Sequence, residues 1–159
     1  HSRVITNGPL YTNIEQWRLD HFGSPLNAGM SANDFDYDSD GMMNLLEYAL
    51  GLNPTLNSGS NGSAGAPFGG FEASNDRLVL SVKIPNPAPD KARYEVKASG
   101  DLKIWDIVAT KIGIGAWSLE TGATLSATPV AGGDLVAIGD FMTGTTNVRR
   151  MMKLDVVEN

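Results

Sequence analysis

Residues 36–47 read "DYDSDGMMNLLE", and no other stretch restricts the chain so strongly. Counted from Asp36, side-chain oxygens fall at positions 1, 3 and 5 (Asp36, Asp38, Asp40), glycine at 6 (Gly41), asparagine at 9 (Asn44) and glutamate at 12 (Glu47). This is the ligand spacing of an EF-hand calcium loop. Calcium takes roughly six to eight hard oxygens at about 2.4 Å, so alternate side chains must converge on one point while a glycine permits the sharp turn. On that reading the backbone carbonyl of Met42 is the position-7 ligand, Glu47 closes the shell from the first turn of a helix, and Met43 faces the core. The alternative is a solvated acidic turn capping a helix at Asn44. Four carboxylates this close repel one another unless a cation lies between them, which favours the ion.

Short helices are expected on both sides of the loop. "TNIEQWRLDHF" places Ile14, Trp17, Arg18, His21 and Phe22 at helical spacing after a Thr12 or Asn13 cap, and Gly23 and Pro25 stop it. "NLLEYALGLNP" places Leu45, Leu46, Ala49 and Leu50 on one stripe ended by Gly51 and Pro54. Residues 1–54 thus form a helix-loop-helix segment, and the polar, glycine-rich residues 55–67 form a linker or surface loop.

From residue 68 the period changes to two. "RLVLSVKI" aligns Leu78, Leu80, Val82 and Ile84, and "RYEVKAS" aligns Tyr94, Val96 and Ala98 against Arg93, Glu95 and Lys97. "PNPAPDK" between them reads as a turn. Further strands are expected from Trp105 to Ala109, near Trp117, at "DLVAIG" and at "NVRRMMKLDVV", where Val148, Arg150, Met152, Leu154 and Val156 share a face. Six to eight short strands make residues 68–159 an antiparallel β-sandwich, packed with the first segment as one unit. The fold class is therefore mainly β, with the helix-loop-helix in front.

A net charge of −6 and a pI near 4.7 argue against a nucleic-acid or membrane-surface partner, since both attract a clustered positive field. The chain has no cysteine, which excludes disulfides, thiolate zinc sites and thiol nucleophiles. A small domain without such staples gains most from a bound ion. Abundant glycine, asparagine, serine and threonine suit a secreted, extracellular bacterial module. The opening "HSRVITNGPLY" lacks the plan of a signal peptide and reads as a mature or excised start.

The block from Trp17 through "FDYDSDGMMNLLEYALGLNP" resembles the calcium-loop segment, related to dockerin and thrombospondin type 3 loops, that precedes a β-rich C-terminal domain in many secreted bacterial proteins. "YEVKASGDLKIWDIV" resembles the strand pair of those domains and "VRRMMKLDV" their closing strand. In dockerins the loop occurs twice and the pair binds cohesin; one copy stands here. Domains of this type sit at the end of secreted polysaccharide-acting enzymes, so the resemblance implies an accessory module joined to a parent catalytic domain.

Catalytic signatures do not stand out. His1 is terminal, His21 lies on a helix, and the clustered acids are claimed by the loop, so the reading is non-catalytic, with a small hydrolase as the weakest option. A carbohydrate-binding module instead works by stacking flat rings on sugars and hydrogen-bonding their hydroxyls. Trp117, in the glycine-flanked "GIGAWSLETG", is the first candidate ligand contact. Trp105 follows "SGDLKI" and reads as an inter-sheet anchor or a second contact, and Arg149 as a solvent-facing donor if Arg150 turns inward. Overall acidity favours a neutral β-glucan or xylan over anionic polymers. The alternative function is a spacer or cell-surface attachment module with no glycan site.

Overall fold

The computed structural model describes residues 10–57, 65–143 and 149–159. The expected linker at 55–67 lies in large part outside the described residues, as do Val148 and His1. Helix α1 spans Asn13–Phe22, opened by a capping box in which Thr12 and Glu15 satisfy each other's amides and closed by Gly23 at φ 74°. Ile14 and Arg18 are buried along it. Helix α2 spans Asn44–Leu50 and ends at Gly51 with φ 68°, a left-handed conformation that costs a glycine little. Ala49 and Leu50 enter the core and Leu46 packs against it. No helix among the described residues is long and apolar enough to cross a membrane.

Among the described residues the strands are β1 (Phe68–Glu72), β2 (Arg77–Pro85), β3 (Ala92–Ser99), β4 (Asp106–Ile112), β5 (Ser118–Leu119), β6 (Thr124–Val130), β7 (Gly133–Gly139) and β8 (Met151–Glu158). They form two four-stranded antiparallel sheets, ordered β1-β2-β7-β6 and β5-β4-β3-β8. Leu80, Val82 and Ile84 of β2 meet Tyr94, Val96 and Ala98 of β3 in one core with Val136 and Ile138, an arrangement consistent with a β-sandwich. The alternation read in β2, β3 and β8 holds, since Met152, Leu154 and Val156 also pack against that core. In the β3–β4 ladder Val96 pairs with Ala109 and Lys97 with Ile107, so a bulge at Val108 turns two successive residues inward.

"PNPAPDK" is a turn, closed by the Ala92 amide on the Pro89 carbonyl, and it carries the chain from one sheet to the other with Ala88 buried. Two local readings need correction. Strand β6 escapes the sequence reading. Its residues "TLSATPV" are all exposed on a sheet edge, which leaves no inward period to detect and tolerates Pro129. The expected last strand starts at Met151, beyond Arg149 and Arg150.

Candidate metal centre

The loop is folded largely by its own acids. Asp36 accepts from the amides of Asp40 (3.2 Å) and Gly41 (2.9 Å), Asp38 from Asp40 (3.2 Å), and Asp40 from Met42 (2.8 Å). Ser39 at φ 61° and Gly41 at φ 92° make the reversals that turn these carboxylates toward one another. One carboxylate oxygen from each of Asp36, Asp38 and Asp40 then lies within 4.8 Å of the others. This cluster can hold a metal ion.

Behind it sits Glu47, 0 % exposed, and neither of its oxygens has a hydrogen-bond partner among the described residues. Burial pushes its carboxyl up to about 8, and the charges of Asp38, Asp40 and Asp36 add to the rise. Asp38 is raised for the same reasons, burial first and its two neighbours after, and its Oδ2 is buried without a partner. Asn44 donates through Nδ2 to the carbonyls of Met30 (2.9 Å) and Ala32 (2.8 Å), which fixes the amide and leaves Oδ1 buried and unpartnered. Buried polar atoms ordinarily find partners, so unpartnered oxygens on the residues at positions 3, 9 and 12 of one loop mark a site shaped for something that accepts oxygen lone pairs. Met42 is buried; Met43 is 53 % exposed and does not face the core as expected.

The supports of this loop are less local than the sequence suggests. Residues 23–35, including a 3-10 turn at Gly29–Ser31, separate α1 from Asp36, so α1 does not lead directly into the loop. It braces the loop sideways instead: Trp17 meets Tyr48 at 5.4 Å, and Phe22 meets Tyr37 of the loop at 5.3 Å. Asn33, just ahead of the loop, accepts from Arg18 Nη2 (2.6 Å) and donates to Glu158 (2.6 Å), and Arg18 also pairs with Glu158 at 2.8 Å. The carbonyls of Asn33 and Phe35 accept the amides of Leu45 and Asn44, tying both ends of the loop together. Sequence reasoning missed Asn33 and Glu158; the available signal was Arg18, an arginine on an apolar helical stripe that must find a buried acceptor. On the sheet side, Tyr94 Oη donates to the Ala49 carbonyl at 2.6 Å and anchors α2.

The candidate ligand residues lie elsewhere and do not share one site. Trp117 is half-buried, packs on the core and meets Tyr94 at 6.2 Å and 48°. Its loop therefore does not simply project the ring into solvent. Trp105 is half-buried, stands outside the core cluster, and carries the Lys153 ammonium 4.5 Å from its ring centre. Trp117 thus makes the contact with the core, while Trp105 borders a cleft lined by Leu78 and Leu80 of one sheet and Met152 and Leu154 of the other. Arg149 is exposed and lines a cavity of about 440 Å³ with Ser99, Asp101 and Arg150, while Trp105 lines a neighbouring cleft that also touches Arg150. Arg150 does turn inward, onto Asp140.

Compared with family models, with curated proteins and with solved structures, the chain finds no match in any of the three.

Proposed function

We propose that this chain is a non-catalytic carbohydrate-binding accessory module of a secreted polysaccharide-degrading protein, stabilised by one calcium ion in a helix-loop-helix segment of EF-hand type. The observation that carries the calcium reading is Glu47, a fully buried carboxylate with two unpartnered oxygens behind three aspartates. Every donor there is a hard oxygen, and the loop supplies no imidazole or thiolate, which suits calcium rather than zinc. The ion would be held by side chains of Asp36, Asp38, Asp40, Asn44 and Glu47 and by the carbonyl of Met42. What it supplies is positive charge where Asp36, Asp38, Asp40 and Glu47 concentrate negative charge.

The glycan part of the reading rests on two half-buried tryptophans beside cavities that also carry charged side chains, Lys111 and Asp134 next to Trp117 and Arg150 and Lys153 next to Trp105, groups able to bond the rim of a stacked sugar. The favoured partner is a neutral β-glucan or xylan, with the parent catalytic domain as the covalent neighbour. A second reading, a spacer or attachment module without a glycan site, is favoured by one observation: both rings already have an internal contact, Trp117 with Tyr94 and Trp105 with Lys153.

Calorimetric titration of chelated protein with calcium, together with retardation in gels containing neutral polysaccharides, tests both parts. One site per chain and retardation by at least one neutral polymer are expected. A chelated protein that takes up no calcium at millimolar concentration sinks the first part, and free migration in every gel moves the function to the spacer.

A further inference from the structure

We infer that the cavity beside Trp117 is a subsite for a single neutral pyranose ring, so that the module recognises the end or a one-unit branch of a glycan rather than the middle of a chain. The inference rests on the glycan-binding reading above and narrows it.

The cavity measures about 210 Å³ and lies where the ends of β2 and β4 approach the start of β7. Sites for drug-sized ligands run from about 300 to 1,000 Å³. A space below that range takes one ring and excludes an oligomer laid lengthwise. Trp117 forms one wall and Val136 part of the floor, while Ile114, 80 % exposed, stands at the rim. Because Trp117 already rests on the fully buried Tyr94, its ring is held in place before any ligand arrives. A platform fixed in this way loses little entropy when a sugar stacks on it.

The polar wall is what points to a neutral polyol. It carries one ammonium, Lys111, and one carboxylate, Asp134, with the Asn86 amide beside them. Lys111 donates to the carbonyl of Gly115, and Asp134 accepts from Asn86 Nδ2 at 3.3 Å. An ammonium has three donors and a carboxylate about four acceptor positions, so each group keeps hydrogen-bonding capacity after its internal contact. An anionic ligand would face Asp134 and a cationic one Lys111. Vicinal hydroxyls both donate and accept, and they suit a wall that offers one strong donor and one strong acceptor. Burial holds Lys111 below the ordinary lysine range, with Asp134 acting in the opposite sense, as expected of a wall partly shielded from water. An internal unit of a polymer carries two glycosidic links and needs room for a neighbour on each side, whereas this cavity has room for one unit.

The test uses the calcium-loaded chain and methyl β-D-glucopyranoside or methyl β-D-xylopyranoside, read by tryptophan fluorescence and by saturation-transfer NMR, beside gels of the intact polymers. Saturable millimolar binding of at least one methyl glycoside is expected. Asp134→Ala and Lys111→Met should each weaken it about tenfold while leaving the calcium-dependent melt in place, since each removes a charge-assisted hydrogen bond. Trp117→Phe keeps an aromatic ring against Tyr94 and should weaken binding without unfolding the chain. If polymers retard the protein but neither methyl glycoside binds, or if binding survives both wall variants unchanged, the subsite is overturned and the broader glycan reading stands. If neither polymers nor methyl glycosides bind, both fall together.

Discussion

Asp140 and Glu47 are the same kind of group in the same degree of burial, 0 % exposed each, and the fold treats them in opposite ways. Asp140, just past β7, receives Arg150 Nε at 2.6 Å and Nη2 at 3.0 Å, a two-pronged pair that joins the end of one sheet to the start of the last strand in the other. Among the described residues Glu47 receives no hydrogen bond, and the charges that act on it are those of three more carboxylates. A guanidinium can match one carboxylate with both prongs. It cannot match oxygens that three aspartates bring together at once. The difference teaches that the fold gives the single carboxylate of Asp140 a cation of its own, while the aspartate cluster beside Glu47 could hold a metal ion instead.

Breaking the internal pair should have the largest effect. Arg150→Met leaves Asp140 buried and uncompensated, and should cost about 3–5 kcal/mol, or roughly 10 °C or more in melting temperature. The loss should be equal with and without chelator, as thermal melts will show. A loss that appears only in chelator would mean the two carboxylates are energetically one system and would break the comparison.

Chelation comes next. If calcium fills the cluster and is present at a hundred to a thousand times its dissociation constant, chelation should cost about 3–4 kcal/mol, the stability that an ion bound to the native state alone adds. Glu47→Gln should abolish most of that response. It should also melt higher than the unaltered chain in chelator, since a neutral amide ends the repulsion with Asp36, Asp38 and Asp40. Both effects are visible in one set of calorimetric scans.

A third experiment sharpens the comparison through pH. In chelated protein Glu47 titrates near 8 when folded and near its ordinary value of about 4.3 when unfolded. The native state then holds a proton that the unfolded state has lost, so the contribution is complete below about pH 4.3 and disappears as pH rises toward about 8. Glu95, on the outer face of β3, has the opposite sign: its hydrogen bond from Lys97, at 2.7 Å, and then the charges of Lys97 and Arg93 hold it low. Its contribution is present above the ordinary carboxylate range and lost as pH falls through the depressed value. Urea titrations should therefore show chelated protein weakening from pH 5 to 8 and calcium-loaded protein nearly level there, with both weakening in acid. Equal slopes with and without calcium would remove Glu47 from the account.

How much of this was legible follows from how local each signal is. The loop, Gly41, Gly51 and the inward faces of β2 and β3 were readable because turn chemistry and two-residue periods act within a few positions. Glu47 was placed by spacing alone, yet its burial was not readable, since it depends on α2 docking through Tyr94 and Ala49 from distant parts of the chain. The clasp of Arg18 with Asn33 and Glu158 joins residues 125 and 140 positions apart, and no window along the sequence contains it. The contact of Trp117 with Tyr94 was not readable, because flanking glycines say that a loop can move, not which part of the core it covers. Strand β6 had no inward face to betray it.

The smallest expected effect lies at the exposed end of the comparison. Asp155 shares two ammonium groups, Lys97 at 3.1 Å and Lys153 at 2.9 Å, and all three are a fifth or more exposed. With a second partner in place and solvent nearby, Lys153→Ala should change stability by less than about 1 kcal/mol. The same change removes the ammonium from the face of Trp105. If Trp105 belongs to a glycan-binding surface, freeing that face for a sugar should increase retardation on a neutral polysaccharide gel while the melt stays level. If the module is a spacer, mobility should match the unaltered chain on every gel. A melt that falls by several degrees would show instead that Lys153 covers an apolar surface the sandwich needs, and Trp105 would then take its place in the structural account beside Trp117.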